Sequence, residues 1–189
     1  MLEFEKKIIL SQTEYEKLCS VYQKPIIVQE NYYYDTVEQD YNRKGITLRI
    51  RKKGDKYTAT VKIHSVDSDC SKELSHEAES EYDTMLFAGK GVVLQGCMQT
   101  ERMRIPMENS IVVMLDKNTY LGMTDYEMEI EYHPRREQFC EEIIDELASK
   151  IVRYHSGMLA YDFMKRAEQS KTKSERLFER KRMIGENNV

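Results

Sequence analysis

Charged residues recur at every second position in several strand-like segments, and this spacing constrains the fold more than any other feature. The chain begins MLEFEKKIIL, in which Glu3, Glu5 and Lys7 alternate with mostly apolar residues. Successive side chains of a β-strand point to opposite faces, so these three share one face. The same spacing joins Arg49 to Arg51, Arg102 to Arg104, and Glu127 to Glu129 and Glu131. Each set gives a strand one charged face.

A fully charged strand face needs a suitable environment. On an open sheet it would simply meet water. In a closed barrel one face of every strand points inward, and a charged lumen is stable only when water, ions or a charged ligand fill it. Alternate glutamates on one strand lie roughly 7 Å apart and repel unless a cation is present. Arginine pairs suit phosphate oxygens. Barrel closure would therefore create a site for a metal and a polyphosphate.

The remaining pattern predicts a strand-rich region followed by helices. Ser11 and Glu14 form a capping box for a helix over 11–22. The segment DTMLFAGK is expected to be a short helix or loop, and Gly54-Asp55 a hairpin turn. Apolar spacing predicts a helix in REQFCEEIIDELASKIVRY, and the basic segment from Lys165 is expected to be helical. The strand segments are IIVQENYYYDT, ITLRIRKKGDKYTATVKI, SKELSHEAESEY, VLQGCMQTERMRIPM, SIVVMLDKNTYL and TDYEMEIEYH.

Composition narrows the class of protein. The chain has 189 residues and a formal net charge of −4, which argues against a general nucleic-acid-binding surface. The four cysteines are scattered and no early apolar run resembles a signal peptide, so we expect reduced thiols in a cytoplasmic protein. No window approaches the ~18 apolar residues of a membrane span. The four histidines lack zinc-site spacing. We expect a monomer or homodimer.

The order of motifs resembles that of the CYTH superfamily, the triphosphate tunnel metalloenzymes, and a bacterial-type member in particular. The family signature ExExK is Glu3-Phe4-Glu5-Lys6-Lys7, and it is followed by NYYYDT, GITLRIRKKGDKYTATVK, TERMR, LDKNTYLGMTDYEMEIE and KTKSERLFE. The resemblance implies an α+β fold, with an eight-stranded antiparallel β-barrel around a triphosphate tunnel and helices packed outside. The whole chain, 1–189, would be one domain, with the barrel in 1–132 and a helical part in 134–185.

The resemblance also implies roles for individual residues, together with Mg²⁺ or Mn²⁺ as cofactor. Glu3 and Glu5 would be catalytic, because they would hold the metal that activates water. The implied metal ligands are Glu3, Glu5, Asp116, Glu127 and Glu129. The implied phosphate ligands are Lys7, Arg49, Arg51, Lys62, Arg102, Arg104, Lys173 and Arg176, with Lys56 and Lys171 as alternatives to Lys62 and Lys173. Further acidic tunnel residues would be Glu77, Glu79 and Glu131, although Ser75-His76 replaces the basic residue expected before the first two.

Three functions share such a lumen. The first is hydrolysis of a small triphosphate, which could be inorganic tripolyphosphate, thiamine triphosphate or a nucleoside triphosphate. The second is an adenylate cyclase that makes cyclic AMP and pyrophosphate, and the third is a polyphosphate-binding module without catalysis. Cyclisation needs an adenine pocket, for which the sequence indicates no residues. The binding module would require loss of a metal ligand, and Glu3, Glu5, Glu127 and Glu129 are all present. The sequence favours the triphosphatase, with the small-molecule triphosphate as its partner.

Overall fold

A computed structural model describes residues 2–65 and 69–186 of the chain. Eight strands close into an antiparallel barrel, as expected. The helices are α1 (Gln12–Tyr22), α2 (Gln138–Ile151), α3 (Ser156–Gln169) and α4 (Lys173–Glu186). The strands are β1 (Leu2–Leu10), β2 (Ile26–Asp35), β3 (Ile46–Lys53), β4 (Lys56–His64), β5 (Cys70–Ala78), β6 (Thr84–Phe87), β7 (Lys90–Pro106), β8 (Val112–Tyr120) and β9 (Met123–Tyr132).

The barrel closes through a pairing between β2 and β7. The strand order is β2-β3-β4-β5-β1-β9-β8-β7, and β2 pairs with β7 over Ile26–Asp35. The pairing of β1 with β5 spans only Leu2 to Phe4, whereas β1 pairs with β9 from Phe4 to Leu10. The strands are therefore joined around the full circumference, with the shortest seam between β1 and β5.

The outer face of one half of the barrel packs against three helices. On β1 this face carries Phe4, Ile8 and Leu10, which contact the apolar core as their alternation predicts. Helix α1 begins at the predicted capping box, in which the Ser11 side chain accepts from the Glu14 backbone and the Glu14 side chain accepts from Ser11. The buried side of α2 is Cys140, Ile143, Ile144, Leu147, Ala148 and Ile151. Burial of these side chains fixes which face of each strand points away from the lumen.

The segment predicted as a helix or loop forms a ninth strand, so that prediction was wrong. Strand β6 pairs with the start of β7 through a two-residue turn at Ala88 and Gly89, whose φ angles are 48° and 76°. Two consecutive left-handed residues are typical of a hairpin turn whose twist matches that of its strands. Strand β6 covers apolar residues outside the barrel, among them Tyr34, Leu48 and Ile50. The Gly54-Asp55 hairpin between β3 and β4 is confirmed.

The C-terminal region is helical, but as two helices. Helix α3 begins at Ser156, before the predicted start at Lys165, and ends at Gln169. Helix α4 then packs over the barrel end at which β8 turns into β9, where Leu177 and Phe178 contact Tyr33, Met98 and Tyr120. Gly96 allows this approach, because a Cβ there would lie 3.2 Å from the Leu177 side chain. The four cysteines are free thiols, and no described helix is long and apolar enough to cross a membrane.

Candidate active site in the barrel lumen

The barrel brings most of the sequence-predicted site residues to its inner face. Strand register places Lys7 opposite Glu129, Glu127 opposite Asp116, and Asp116 opposite Arg102. Since the strands are antiparallel, residues opposite one another share a face. The charged alternation on β1, β3, β7 and β9 therefore converges on one lumen, and the α4 residues Lys173 and Arg176 reach it from the barrel end.

Three carboxylates form a buried cluster on β8 and β9. One oxygen each from Asp116, Glu127 and Glu129 lies within 4.8 Å of the others, and the side chains are 0 to 8 % exposed. Burial alone would raise the pKa of Glu129, but the Lys173 ammonium and the Arg102 guanidinium lower it well below its usual range. Carboxylate oxygens at this spacing are the donors that Mg²⁺ and Mn²⁺ prefer, so this cluster fits a hard divalent cation.

The Lys173 ammonium lies inside this carboxylate cluster. Its Nζ is 2.9 Å from an Asp116 oxygen and 2.7 Å from a Glu129 oxygen, and it also contacts Glu127. Burial would lower the pKa of Lys173, but the surrounding carboxylates outweigh it and raise that pKa. Lys173 was predicted to bind phosphate. Its ammonium group contacts the carboxylates that were predicted to bind the metal.

Arg176 enters the same network one turn further along α4. Its guanidinium donates to Asp125 at 2.9 Å and to Glu127 at 3.0 Å. These two carboxylates and the basic side chains of α4 hold the helix across the barrel end.

The predicted catalytic glutamates of β1 lie beside two lysines. Glu5 accepts from Lys7 at 2.7 Å and contacts Lys62, and Glu3 lies 3.1 Å from the Lys62 ammonium. Burial and Glu129 would raise the pKa of Glu5, but Lys7 and Lys62 lower it. Glu5 therefore stays ionised at neutral pH. Of the two alternatives on β4, Lys62 reaches these glutamates, whereas Lys56 is exposed at the start of the strand.

Arginines on β3 and β7 line one wall of the lumen, on either side of β2. Arg102 pairs with Asp116, with Nε 2.8 Å from Oδ1, and with Glu129 at 2.5 Å. Arg49 and Arg51 form no ion pair within residues 2–65 and 69–186, and Arg49 Nε is buried without a hydrogen-bond partner there. Burial, followed by the charges of Arg49 and Arg102, lowers the pKa of Arg51 to about 9. This wall therefore carries excess positive charge that an anion would neutralise.

The structure leaves some predicted residues outside this constellation. Arg104 lies on the same face of β7 as Arg102, but its side chain is exposed. Glu131 is half-buried and lies opposite Glu5. Glu77 and Glu79 are exposed, and Glu79 lies beyond the last residue of β5. Neither has an ion-pair partner among the residues that the structure describes. Of the two alternative phosphate ligands near the start of α4, Lys171 pairs with Glu179 at 2.8 Å, whereas Lys173 enters the lumen.

Sequence reasoning missed three uncharged lumen residues and one acidic one. Asn31, Thr100 and Asn118 are fully buried, and Asp125 anchors both Arg176 and the Tyr120 hydroxyl. For three of these residues, the two-residue spacing of a strand face already indicated a position in the lumen. Thr100 lies two positions before Arg102, Asn118 two after Asp116, and Asp125 two before Glu127. A pattern of charged residues does not reveal neutral side chains at the same lumen-facing positions.

A side cavity of about 390 Å³ adjoins the lumen next to the short β1–β5 seam. Its walls include Glu5 and Lys7 of β1, His64 of β4, and Thr172 at the start of α4. Burial, then the charges of Lys62 and Lys7, lowers the pKa of His64 to about 4, so its imidazole is neutral. The cavity extends from the charged lumen to the loop between α3 and α4.

A closed antiparallel barrel with a carboxylate cluster, arginines and lysines in its lumen defines a class of barrel proteins with a charged, metal-compatible interior. The model of the CYTH domain family matches residues 1–157. The chain therefore belongs to the CYTH family.

The chain is similar to one curated protein in sequence and to several solved structures in fold. A Bacillus subtilis (strain 168) protein named "Putative triphosphatase YjbK" is 27 % identical, and the match covers 82 % of this chain and 94 % of that protein. A structure from Bacillus halodurans, described as a "putative adenylate cyclase", has a TM-score of 0.64 at 21 % identity, covering 77 % of this chain and 89 % of that one. HpAC1 from Hippeastrum, described as a "putative adenylyl cyclase" with a dominant triphosphatase activity, has a TM-score of 0.58 at 19 % identity, covering 77 % of this chain and 87 % of that one.

Proposed function

We propose that this protein is a divalent-metal-dependent triphosphatase that removes the terminal phosphate of a small linear triphosphate inside the barrel. The observation that carries the proposal is the division of the lumen into two walls. Arg49 and Arg51 lack carboxylate partners among the described residues, while Asp116, Glu127 and Glu129 form a carboxylate cluster across from them. A phosphate chain bound between the walls would meet guanidinium groups on one side and a metal on the other.

The basic side chains would bind and orient the phosphate chain. Arg49 Nε is buried without a hydrogen-bond partner and Arg51 has no ion pair among the described residues, while Lys7 and Lys62 lie close to the β1 glutamates. Negative charge spreads over the phosphoryl oxygens in the transition state, so fixed cations stabilise it more than they would in water. Catalysis in such a site depends mostly on positioning and electrostatics.

The carboxylate side would hold the metal and the attacking water. Asp116, Glu127 and Glu129 would be metal ligands, with Glu3 and Glu5 facing the same space from β1. When bound, a divalent ion would polarise the phosphoryl oxygens and lower the pKa of a coordinated water. Glu5 is ionised and can accept a hydrogen bond from water, which orients it for in-line attack. The water oxygen bonds to the terminal phosphorus, the bridging P–O bond breaks, and orthophosphate and the shortened phosphate chain leave.

The relatives support hydrolysis but carry two kinds of name. The Bacillus subtilis relative is named "Putative triphosphatase YjbK", and the Bacillus halodurans protein is described as a "putative adenylate cyclase". HpAC1 is described as a "putative adenylyl cyclase" with a dominant triphosphatase activity. Inorganic tripolyphosphate, thiamine triphosphate and nucleoside triphosphates all present the phosphate chain that the two walls fit. We propose one of these small molecules as substrate, without nucleic acid or membrane as partner.

The test is a product assay with three substrates. The protein is incubated with tripolyphosphate, thiamine triphosphate or ATP in Mg²⁺ or Mn²⁺, and orthophosphate, pyrophosphate and cyclic AMP are measured. We expect orthophosphate that depends on the metal. Cyclic AMP with pyrophosphate from ATP would instead show a cyclase, and binding without any product would show a polyphosphate-binding module.

A matched pair of variants links the activity to the lumen. Glu5→Gln removes a lumen carboxylate and should reduce metal-dependent phosphate release by at least about 100-fold while the fold remains intact. Glu101→Gln is the control, because Glu101 lies next to Arg102 on β7 but points outward and pairs with Lys117 at 2.9 Å. It should leave the rate unchanged. Circular dichroism checks folding, and full activity of Glu5→Gln would contradict the proposal.

A further inference from the structure

An uninterrupted chain of hydrogen bonds crosses five strands inside the barrel. Arg51 Nε on β3 donates to Asn31 Oδ1 on β2 at 2.8 Å. Asn31 Nδ2 donates to Thr100 Oγ1 on β7 at 3.2 Å, and Thr100 Oγ1 donates to Asn118 Oδ1 on β8 at 2.8 Å. Asn118 Nδ2 then donates to Asp125 Oδ1 on β9 at 3.0 Å. We call this chain the polar relay.

The two ends of the polar relay fix the direction of every hydrogen bond within it. A guanidinium can only donate and an ionised carboxylate can only accept. Asn31 must therefore turn its oxygen toward Arg51, Asn118 must turn its nitrogen toward Asp125, and the Thr100 hydroxyl must donate toward Asn118. The three neutral members are fully buried, so no solvent competes for their hydrogen bonds. The positive and negative ends stabilise one arrangement and exclude the reverse.

The fixed direction of these hydrogen bonds determines how Arg51 is held. Its guanidinium faces the positive charges of Arg49 and Arg102, which would push a flexible side chain away. Asn31 accepts from its Nε, and no carboxylate within the described residues forms an ion pair with it. An uncharged acceptor can hold the guanidinium without neutralising it, whereas a carboxylate there would cancel the charge that an anion needs. The terminal Nη atoms are thereby left for another partner.

We propose that Asn31 is a positioning residue that holds Arg51 for a phosphate group, and that Thr100 and Asn118 act through Asn31. This inference rests on the proposed function, because it assigns Arg51 to the phosphate chain. It adds three uncharged residues to a site otherwise defined by charged side chains.

The test is a double-mutant cycle read by binding of inorganic tripolyphosphate without metal, measured by isothermal titration calorimetry. Asn31→Leu removes the acceptor at similar volume and should weaken binding on the order of 10- to 100-fold, the range for a lost hydrogen bond to a charged group. In an Arg51→Met background the same change should have at most about a two-fold effect, because its target is gone. In steady-state assays Asn31→Leu should raise KM more than it lowers kcat. A purely structural role would weaken binding equally in both backgrounds.

Thr100→Val keeps the inference testable if Asn31→Leu does not fold. Valine has nearly the shape of threonine but breaks the polar relay between Asn31 and Asn118, so binding should weaken although Thr100 itself contacts no phosphate. Thr60→Val is the matched control, because Thr60 is also buried on the lumen face but bonds Ser75, outside the relay, at 3.1 Å. It should bind as the wild type does.

The outcomes separate the inference from the proposed function. Normal binding by both Asn31→Leu and Thr100→Val, or additive effects of Asn31→Leu and Arg51→Met, would overturn the inference while hydrolysis by the wild type stands. Coupled effects on binding in a protein that releases no phosphate would support the inference and overturn the triphosphatase proposal. A wild type that binds no tripolyphosphate would overturn both.

Discussion

Individual ionisable residues in the lumen are held in charge states that their neighbours set. Glu5 and Glu129 stay ionised because lysine and arginine side chains outweigh the effect of burial on their pKa values. His64 is the opposite case, since burial and two nearby lysines keep it neutral, with a pKa of about 4. Its Nε2 lies 3.2 Å from the Thr47 hydroxyl, which in turn contacts Ser174 of α4 at 2.8 Å.

The neutral state of His64 predicts a measurable dependence of stability on pH. An unfolded histidine has a pKa near 6.5. As the pH falls from about 6.5 toward 4, the unfolded chain gains a proton at this position that the folded protein does not, so the folded state loses stability. The loss attributable to His64 should reach about 1–2 kcal/mol at pH 5, after allowance for its partial exposure.

Urea unfolding at pH 7 and pH 5 checks this prediction. His64→Asn should lose less unfolding free energy over that interval than the wild type does. His76→Asn, at an exposed position of β5, controls for the substitution itself. Equal losses in the wild type and His64→Asn would contradict the expected neutral imidazole.

At the scale of an element, α4 both closes one end of the barrel and supplies cations to its lumen. Leu177 and Phe178 pack against barrel side chains, and Lys173 and Arg176 pair with lumen carboxylates. The Lys173 ammonium lies where a metal bound by Asp116, Glu127 and Glu129 would also have to lie. Two cations cannot share that space, so metal binding requires the ammonium to move away.

Removal of the Lys173 charge should therefore strengthen metal binding. In Lys173→Met the three carboxylates lose a buried counter-ion, and the affinity for Mn²⁺ without substrate should rise by about ten-fold or more. Electron paramagnetic resonance of free Mn²⁺ measures this directly. Lys171→Met is the control, because Lys171 is exposed and pairs with Glu179. Unchanged Mn²⁺ affinity in Lys173→Met would show that the metal binds elsewhere.

At the scale of the whole molecule, the barrel confines opposite charges that are only partly matched. The carboxylates of β8 and β9 are paired with Arg102, Lys173 and Arg176, while Arg49 and Arg51 have no ion-pair partner in the described parts of the chain. A polyanion would bind the folded barrel and not the unfolded chain, so it should stabilise the fold.

Tripolyphosphate should accordingly raise the melting temperature even without metal. At a concentration 100 times the dissociation constant, the expected stabilisation is about 2.7 kcal/mol. Arg51→Met should show a much smaller shift, because it removes one of the unpaired guanidinium groups. Differential scanning calorimetry over a tripolyphosphate series measures both. Equal shifts in the two proteins would place the anion outside the arginine wall.

Much of the architecture followed from local pattern, and the exceptions have identifiable causes. The capping box of α1, the Gly54-Asp55 hairpin and the outward facing of Phe4 depend on neighbouring residues, and each was predicted correctly. Strand β6 was missed because it is four residues long and is stabilised by pairing with β7. The C-terminal segment divides into α3 and α4 because each packs against a different part of the barrel.

The sequence by itself determined which residues share a strand face, because the side-chain period of a strand is two. That period, with the motif order of the CYTH family, was enough to predict the barrel and its charged lumen. Only the tertiary structure decided which residues from different strands meet. Strand register and the docking of α4 bring Lys173 among the carboxylates, connect Arg51 to Asp125 through neutral side chains, and leave Glu77 and Glu79 exposed. These are long-range juxtapositions, and local spacing carries no information about them.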